Sequence, residues 1–419
     1  MVAEARFVAA ADLHLGRPIA SLPDVLRADA RTLGPFGALQ SLVELALRER
    51  ADAVLIGGDL VDDDGAYFEV YSAIQEAVKA LDGIPMIAVA GNHDAKVLPR
   101  LADSIDGLLL LGSGGRWGTH TLSTDAGDIE ILGWSFPDAH CRTSPFETPP
   151  PPRGGRRIGV LHGDLDTAGS SYAPFTSQDL KRHAADAWLL GHVHVPSHET
   201  LSSRAPAGYL GSACGLDPSE SGSRGAWLVR CHAQGFELQH RAIAPIHWAT
   251  ATLDASEIDA EHLDVSLQKI ANAQSSDAGE ARAVGVRVRL AGQHPDWADL
   301  NDRARGLPTG EPWSHDGRRV FIDRVVGRVT APLDLATLAQ EPSVAGRIAG
   351  MILELEGGGA TKLVDDAARA FSELELARPF RMPALGERTY PTPEPRSHLI
   401  REARAVLDEL VAQQHEARH

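Results

Sequence analysis

Only three cysteines, Cys141, Cys214 and Cys231, occur in the 419 residues, an odd number with no spacing pattern. This excludes a disulfide framework and a cysteine-based zinc site. Aromatic residues are sparse at 5%, and no apolar run approaches the ~20 residues that span a bilayer. The earliest apolar run, Phe7 to Ala11, is short and passes straight into a polar motif, unlike a secretory leader, so a cytoplasmic location is expected. Positive charge is also in deficit: 40 Lys and Arg stand against 57 Asp and Glu, a net charge of -17. Such a balance works against non-specific attraction to a polyanion. The deficit is not uniform, because residues 282 to 328 carry nine Arg, no Lys and six acids.

What the chain does have is apolar content, 43%, enough to bury a core and, at this length, to build two or three domains. The apolar run Val54-Leu55-Ile56 stops at Gly57-Gly58-Asp59, followed by Leu60-Val61-Asp62. It reads as a buried strand whose glycines let the backbone turn and present Asp59 at the carboxyl edge of a sheet. Four other runs end alike. Phe7 to Ala11 meets Asp12-Leu13-His14, Ile84 to Ala90 meets Gly91-Asn92-His93-Asp94, Ile158 to Leu161 meets His162-Gly163, and Ala187 to Leu190 meets Gly191-His192-Val193-His194. Imidazole nitrogen, carboxylate oxygen and amide oxygen, with no thiolate, make a donor set for divalent transition metals.

This ordered set, D-x-H, G-G-D-x-x-D, G-N-H-D, H-G and G-H-x-H, resembles the calcineurin-like metallophosphoesterases over roughly the first half of the chain. The resemblance implies an α/β fold, a four-layer α-β-β-α sandwich. It also implies two divalent ions, with Asp59 bridging them. One ion would take Asp12, His14, Asp59 and His194; the other, Asp59, Asn92, His162 and His192. Manganese is the expected metal. Two such ions polarise a phosphoester and supply a bridging hydroxide at neutral pH. His93 would face the leaving group as an acid or charge stabiliser, with Asp94 placed to orient it. Asp62 stands where some relatives carry a substrate-positioning histidine. The other histidines, including His120, His140, His198, His232, His240 and His247, are read as ordinary packing or surface residues, and Asp164 and Asp166 as loop caps.

Along the chain, helical spacing from Pro35 to Glu49 and from Ala66 to Leu81 alternates with the first strands, an α/β pattern. From Leu108 to His240 short strands dominate. Arg142 to Arg157, with Pro149 to Pro152 at its centre, reads as an extended surface loop. After Ile243 a strand (284–290), a helix (295–305) and a strand (320–329) predict a small α+β domain. On its first strand Arg287 and Arg289 alternate with Val286, Val288 and Leu290, so the arginines face out, as a solvated face or as phosphate contacts. Trp297 and Trp313 are assigned to packing. A helical region follows, broken at Gly357-Gly358-Gly359, and Pro391, Pro393 and Pro395 form a stiff spacer before a helix from Ser397 to Gln413. The expected divisions are a catalytic domain at 1–245, a capping domain at 246–332 and a helical C-terminal partner-binding region at 333–419.

Which phosphoester is cleaved is less directly written. Gly208-Tyr209-Leu210-Gly211-Ser212, then Glu220 and Gly225-Ala226-Trp227, resembles a phrase of the double-strand-break repair nucleases of the Mre11 and SbcD type, with Arg224 in place of the usual Lys. Asp12-Leu13-His14-Leu15-Gly16 matches the same group, and the C-terminal region looks most like the shorter YhaO-type bacterial relatives. That resemblance implies a DNA exonuclease and endonuclease working with an SMC-like ATPase on double-stranded ends, with a homodimer compatible and no membrane involved. Two alternatives stand beside it. One is a phosphatase or cyclic-nucleotide phosphodiesterase acting on a small substrate; the other is a non-catalytic scaffold for an ATPase, against which the complete ligand set argues. The terminal helix has an apolar stripe (Leu399, Ala403, Val406, Leu407, Leu410, Val411) that must be buried, either on such a partner or on its own chain.

Overall fold

The computed structural model describes residues 4–62, 67–183, 185–307, 310–376 and 394–416. Contacts divide the chain into two units. The first comprises Met1–Ala251, Gln268–Val288 and Pro308–Arg324; the second comprises Thr252–Leu267, Arg289–Leu307 and Val325–His419.

In the first unit, two sheets pack face to face. The six-stranded sheet runs Gly235–Arg241, Ala226–His232, Ala5–Ala10, Ala53–Ile56, Met86–Ala88, Leu108–Leu110. Its last four strands are parallel, and Ala226–His232 is antiparallel to Ala5–Ala10. The five-stranded sheet runs Trp117–Thr124, Gly127–Trp134, Arg156–His162, Ala187–Gly191, Ala207–Tyr209, parallel after its first pair. Side chains alternate across a strand, and both faces of the first sheet are apolar because both are covered. Phe7, Ala9, Leu55 and Ile87 pack against Ile129, Ile131, Ile158 and Val160 of the second sheet. Their neighbours Val8, Val54, Ile56 and Met86 pack instead against Leu39, Leu42, Val70 and Ile74 of the helices Pro35–Glu49 and Tyr67–Ala80. Each such fully buried aliphatic side chain contributes about 1.5–3 kcal/mol. On the outside of the second sheet, Trp188 lies under the helix Ser177–Arg182, its indole donating to Leu180 O at 3.2 Å, beside Phe146 and Trp117. These are the four expected layers. Ala66, where the second helix is expected to begin, lies outside the described residues.

The proline-rich stretch is less loose than expected. The buried Arg157 guanidinium donates to Pro151 O (3.1 Å), Pro152 O (2.9 Å) and Glu130 Oε1 (2.8 Å), so the loop is pinned to the sheet beneath it. Cys141, Cys214 and Cys231 are all unpaired.

A third sheet has the order Ile246–Asp254, Ala283–Ala291, Arg318–Gly327, Trp313–His315, and three of its strands begin in the first unit and end in the second. Val286, Val288 and Leu290 are buried as expected. Arg289 is exposed, but Arg287 donates twice to Asp323 Oδ2, at 2.9 and 2.6 Å, so at that position the arginine is a paired side chain. The Trp313 indole donates to Asn272 Oδ1 at 2.8 Å, a packing role.

In the second unit, the helix Val344–Glu356 is capped by Ser343 and breaks at Gly358, whose φ of 84° suits glycine; Thr361–Leu376 then resumes. Arg396 donates to Leu355 O and Gly359 O, both at 2.8 Å, closing the free carbonyl end. The terminal helix, Pro395–Glu416, buries Ala403 and Leu407 against Ala345, Ala349 and Ile352. The centre of its stripe is therefore covered by its own chain, while Leu399, Leu410 and Val411 are half-buried and Val406 stays 52% exposed. Pro391 and Pro393 of the expected spacer lie outside the described residues. No helix among the described residues is long and apolar enough to cross a membrane.

Candidate metal centre

Parallel pairing sends the strands Ala5–Ala10, Ala53–Ile56 and Met86–Ala88 to one edge of the first sheet, and Arg156–His162 and Ala187–Gly191 to one edge of the second. Their carboxyl ends and following loops bring together all seven expected ligands. The first two loops are stitched together by backbone bonds, Asp12 N to Gly58 O (3.1 Å), His14 N to Asp59 O (3.0 Å) and Leu15 N to Leu60 O (2.9 Å). Asp12, His14, Asp59 and His192 hold positive φ values of 52°, 52°, 50° and 103°. L-residues adopt that conformation only when the surroundings over-determine it, and it clusters at functional sites. Two glycines make the close approach possible: a Cβ on Gly58 would strike the His162 ring, and one on Gly91 would strike the Asp59 carboxylate.

The four candidate imidazoles share one arrangement. His14, His162 and His194 turn Nε2, and His192 turns Nδ1, toward the common centre. His14 Nε2 is 3.2 Å from His194 Nε2, and both His162 Nε2 and His192 Nδ1 are 3.1 Å from Asn92 Oδ1. Each far nitrogen meets a fixed oxygen: Asp62 Oδ1 (3.0 Å) for His14, Gly57 O (2.9 Å) for His162, Asp164 Oδ1 (3.3 Å) for His192 and Glu220 Oε1 (2.7 Å) for His194. An imidazole whose far N–H is fixed this way offers its other nitrogen's lone pair to a metal. Donor atoms of Asp12, His14 and His194 lie within 4.8 Å of one another, as do those of Asp12, Asp59 and His162. Asp59 Oδ2 lies 3.4 Å from His162 Nε2 and 3.9 Å from His14 Nε2, between the two groups.

Electrostatics favour bound cations. Burial, with the Asp59 charge, raises the Asp12 carboxyl against the opposing pull of the histidines. Burial also pushes His162 down, which favours its neutral form at pH 7. At the rim the signs differ. Burial acts against charge on His194 and Glu220, but their mutual bond prevails, raising the imidazole and lowering the carboxyl. Buried carboxylates beside imidazoles, all nitrogen or oxygen donors, fit two divalent ions.

One expected role is corrected. Asp94 does not orient His93: it is fully buried and its carboxylate accepts from Gly91 N (2.7 Å), Leu60 N (2.8 Å) and Val61 N (3.3 Å). It splints two loops, and burial together with the Asp59 charge raises its carboxyl strongly. The group beside His93 is Asp62, whose main-chain O is 3.1 Å and carboxylate 3.4 Å from His93 Nδ1. Burial would raise the Asp62 carboxyl, but the bond to His14 and the nearby charges hold it low. Asp164, read as a loop cap, also faces His192; Asp166 does cap, accepting from Ser177 N at 2.9 Å. His198, read as an ordinary packing or surface residue, belongs to a ring cluster with Trp227 and His240.

Residues 5–196 match the family model for the calcineurin-like phosphoesterases. This part of the chain is a calcineurin-like metallophosphoesterase domain. Such a domain makes the chain a metal-dependent hydrolase. Among named relatives it is similar to the uncharacterized metallophosphoesterase YhaO of Bacillus subtilis, 26% identical over 334 residues, 71% of this chain and 74% of the relative. It is also similar to two proteins named DNA double-strand break repair protein Mre11. That of Aeropyrum pernix is 30% identical over 227 residues, 50% of this chain and 52% of the relative, so the match spans about half its length. That of Methanopyrus kandleri is 23% identical over 336 residues, 73% of this chain and 72% of the relative. Of solved structures, TT1561 of Thermus thermophilus aligns at 13% identity and a TM-score of 0.33, over 57% of this chain and 99% of that one. A dimetal phosphatase from Danio rerio aligns at 12% and 0.34, over 57% and 97%.

Proposed function

We propose that the metallophosphoesterase is a manganese-dependent DNA nuclease, acting as exonuclease and endonuclease on double-stranded ends in the cytoplasm together with an SMC-like ATPase. The observation that carries this reading is where the nuclease-like phrase sits. Tyr209 OH donates to Gly163 O (3.0 Å) and accepts from Leu165 N (2.8 Å), Ser212 N donates to His194 O (3.0 Å), and Glu220 holds the His194 ring. The residues that resemble the double-strand-break nucleases thus lie against the candidate ligands His162 and His194 or the loops that carry them, which supports this reading. The two archaeal relatives are named for that repair, and this supports the same reading.

In the proposed site Asp12, His14, Asp59 and His194 hold one ion, and Asp59, Asn92, His162 and His192 the other. Two divalent ions there would supply Lewis acidity to the phosphoester and a nucleophile at neutral pH. The chain's own part is placement. Asp62 fixes Nδ1 of His93, leaving Nε2 for the leaving oxygen, and the 40% exposed side chain of His93 is open to substrate. We assign residues 1–245 to catalysis, 246–332 to a cap that holds substrate and 333–419 to the ATPase partner. Within the cap Arg289 is the exposed candidate for a phosphate contact.

The direct test compares linear double-stranded DNA with a small phosphodiester, with and without manganese. Manganese-dependent shortening of DNA is expected. Turnover of the small ester or of a cyclic nucleotide, with DNA left intact, would favour the small-substrate enzyme instead.

A further inference from the structure

Four oxygens fix the far nitrogens of the four ligand imidazoles, and the one on His194 differs from the rest. Glu220 is not on the same loop as any expected ligand, yet its Oε1 makes the shortest of the four contacts, 2.7 Å to His194 Nδ1. Its other oxygen accepts from Leu216 N (3.1 Å) and Ser212 Oγ (3.3 Å), so the carboxylate is held at three points. The main chain is held as well. The buried Arg224 guanidinium donates to His194 O (2.5 Å), Glu220 O (3.3 Å) and Ser221 O (3.3 Å), spanning both loops. A planar fork with several donors spans three carbonyls in a way a lysine ammonium cannot. This loop is in turn tied to the third sheet, since the Trp248 indole donates to Gly215 O (3.1 Å) and Gly222 N donates to Trp248 O (2.9 Å).

We propose that Glu220 is a positioning residue for the metal ligand His194. It holds Nδ1 as the N–H so that Nε2 faces the ion shared with Asp12 and His14, and through the loop braced by Arg224 and Trp248 it sets that ion's affinity. The other ion is held on the His192 side, where Asp164 faces the ring, and does not depend on Glu220. The inference rests on the two-ion reading of the centre. Binding of two Mn2+ by the unaltered protein tests that reading separately.

The experiment titrates Mn2+ into metal-free full-length protein, wild type, Glu220→Ala and Glu220→Gln, and records histidine 15N spectra of the metal-free forms. The expected result is that Glu220→Ala weakens one of two Mn2+ sites by about 10–100-fold and leaves the other unchanged. Glu220→Gln, whose amide oxygen can still accept the N–H although its amide nitrogen then faces Leu216 N, should be weakened less than Glu220→Ala, and the fixed His194 tautomer should be lost only in Glu220→Ala. Unchanged affinity in Glu220→Ala, equal weakening of both sites, or a Gln variant as impaired as the Ala variant would each overturn the assignment. Melting of the metal-free forms guards the result: a collapse of both sites with early melting would make Glu220 a structural residue.

Discussion

Asp59 and His93 are neighbours, Asp59 Oδ1 accepting from His93 N at 2.9 Å, yet they should separate cleanly in experiment. Asp59→Asn removes the charge set between both donor groups, so metal and activity should be lost together. His93→Ala should keep both ions and lose turnover by about 10² or more, the range of a general acid. Metal analysis with initial rates distinguishes them, and equal metal loss would make His93 a ligand. Asp94 and Asp62 should also behave differently. Asp94→Ala removes an acceptor from three backbone amides and should lower the melting temperature. Asp62→Ala should leave melting nearly unchanged and lower turnover, because it meets His14 and His93. The grouping of the seven candidate ligands at one edge was legible because each follows an apolar run, a one-dimensional signal. The partners Asp62, Asp164 and Glu220 were not, because they reach their histidines across loops distant in sequence.

Strands were legible where both faces are buried. Ala53–Ile56 is a continuous apolar run and Arg156–His162 contains one, Ile158 to Leu161, whereas Trp117–Thr124 is an edge strand of mostly polar, part-exposed residues and gives little signal. The terminal helix was legible as a stripe, but its partner was not, since periodicity says that a face is buried and not against what. Its packing against Val344–Glu356 predicts that Leu407→Ala costs about 2–5 kcal/mol, the range for a buried leucine. Denaturation of the full chain should show this as earlier loss of the helical unit, and an unchanged midpoint would mean that the helix is not docked there. A second prediction concerns the strand Gly235–Arg241. Burial, with the His198 and Arg224 charges, pushes His240 down to about 4 from its ordinary 6.5. The unfolded chain then binds the extra proton, so the stabilisation is present above about pH 6.5 and is lost as pH falls toward 4. The effect is at most about 3 kcal/mol. His240→Phe, which keeps a ring against Trp227, should flatten the fall in stability between pH 6.5 and 4 relative to wild type. Parallel acid limbs would exclude the assignment.

The chain as a whole is acidic, with a net charge of -17, so binding of a polyanion has to come from local features: bound cations and exposed arginines of the third sheet. Arg289→Glu should weaken DNA binding and flatten its salt dependence while sparing a small phosphodiester. Arg287→Glu would instead break the pair with Asp323 and destabilise the sheet. An unchanged salt slope in Arg289→Glu would return that residue to the solvated surface. The nuclease reading depends on the centre holding two ions. The most direct measurement is the metal stoichiometry of the purified chain, by native mass spectrometry and elemental analysis, before and after chelation and with Mn2+ restored. Two ions per chain, lost with activity on chelation and regained with it, is the predicted result. A single ion that resists chelation, with phosphoesterase activity unaffected, would contradict the account.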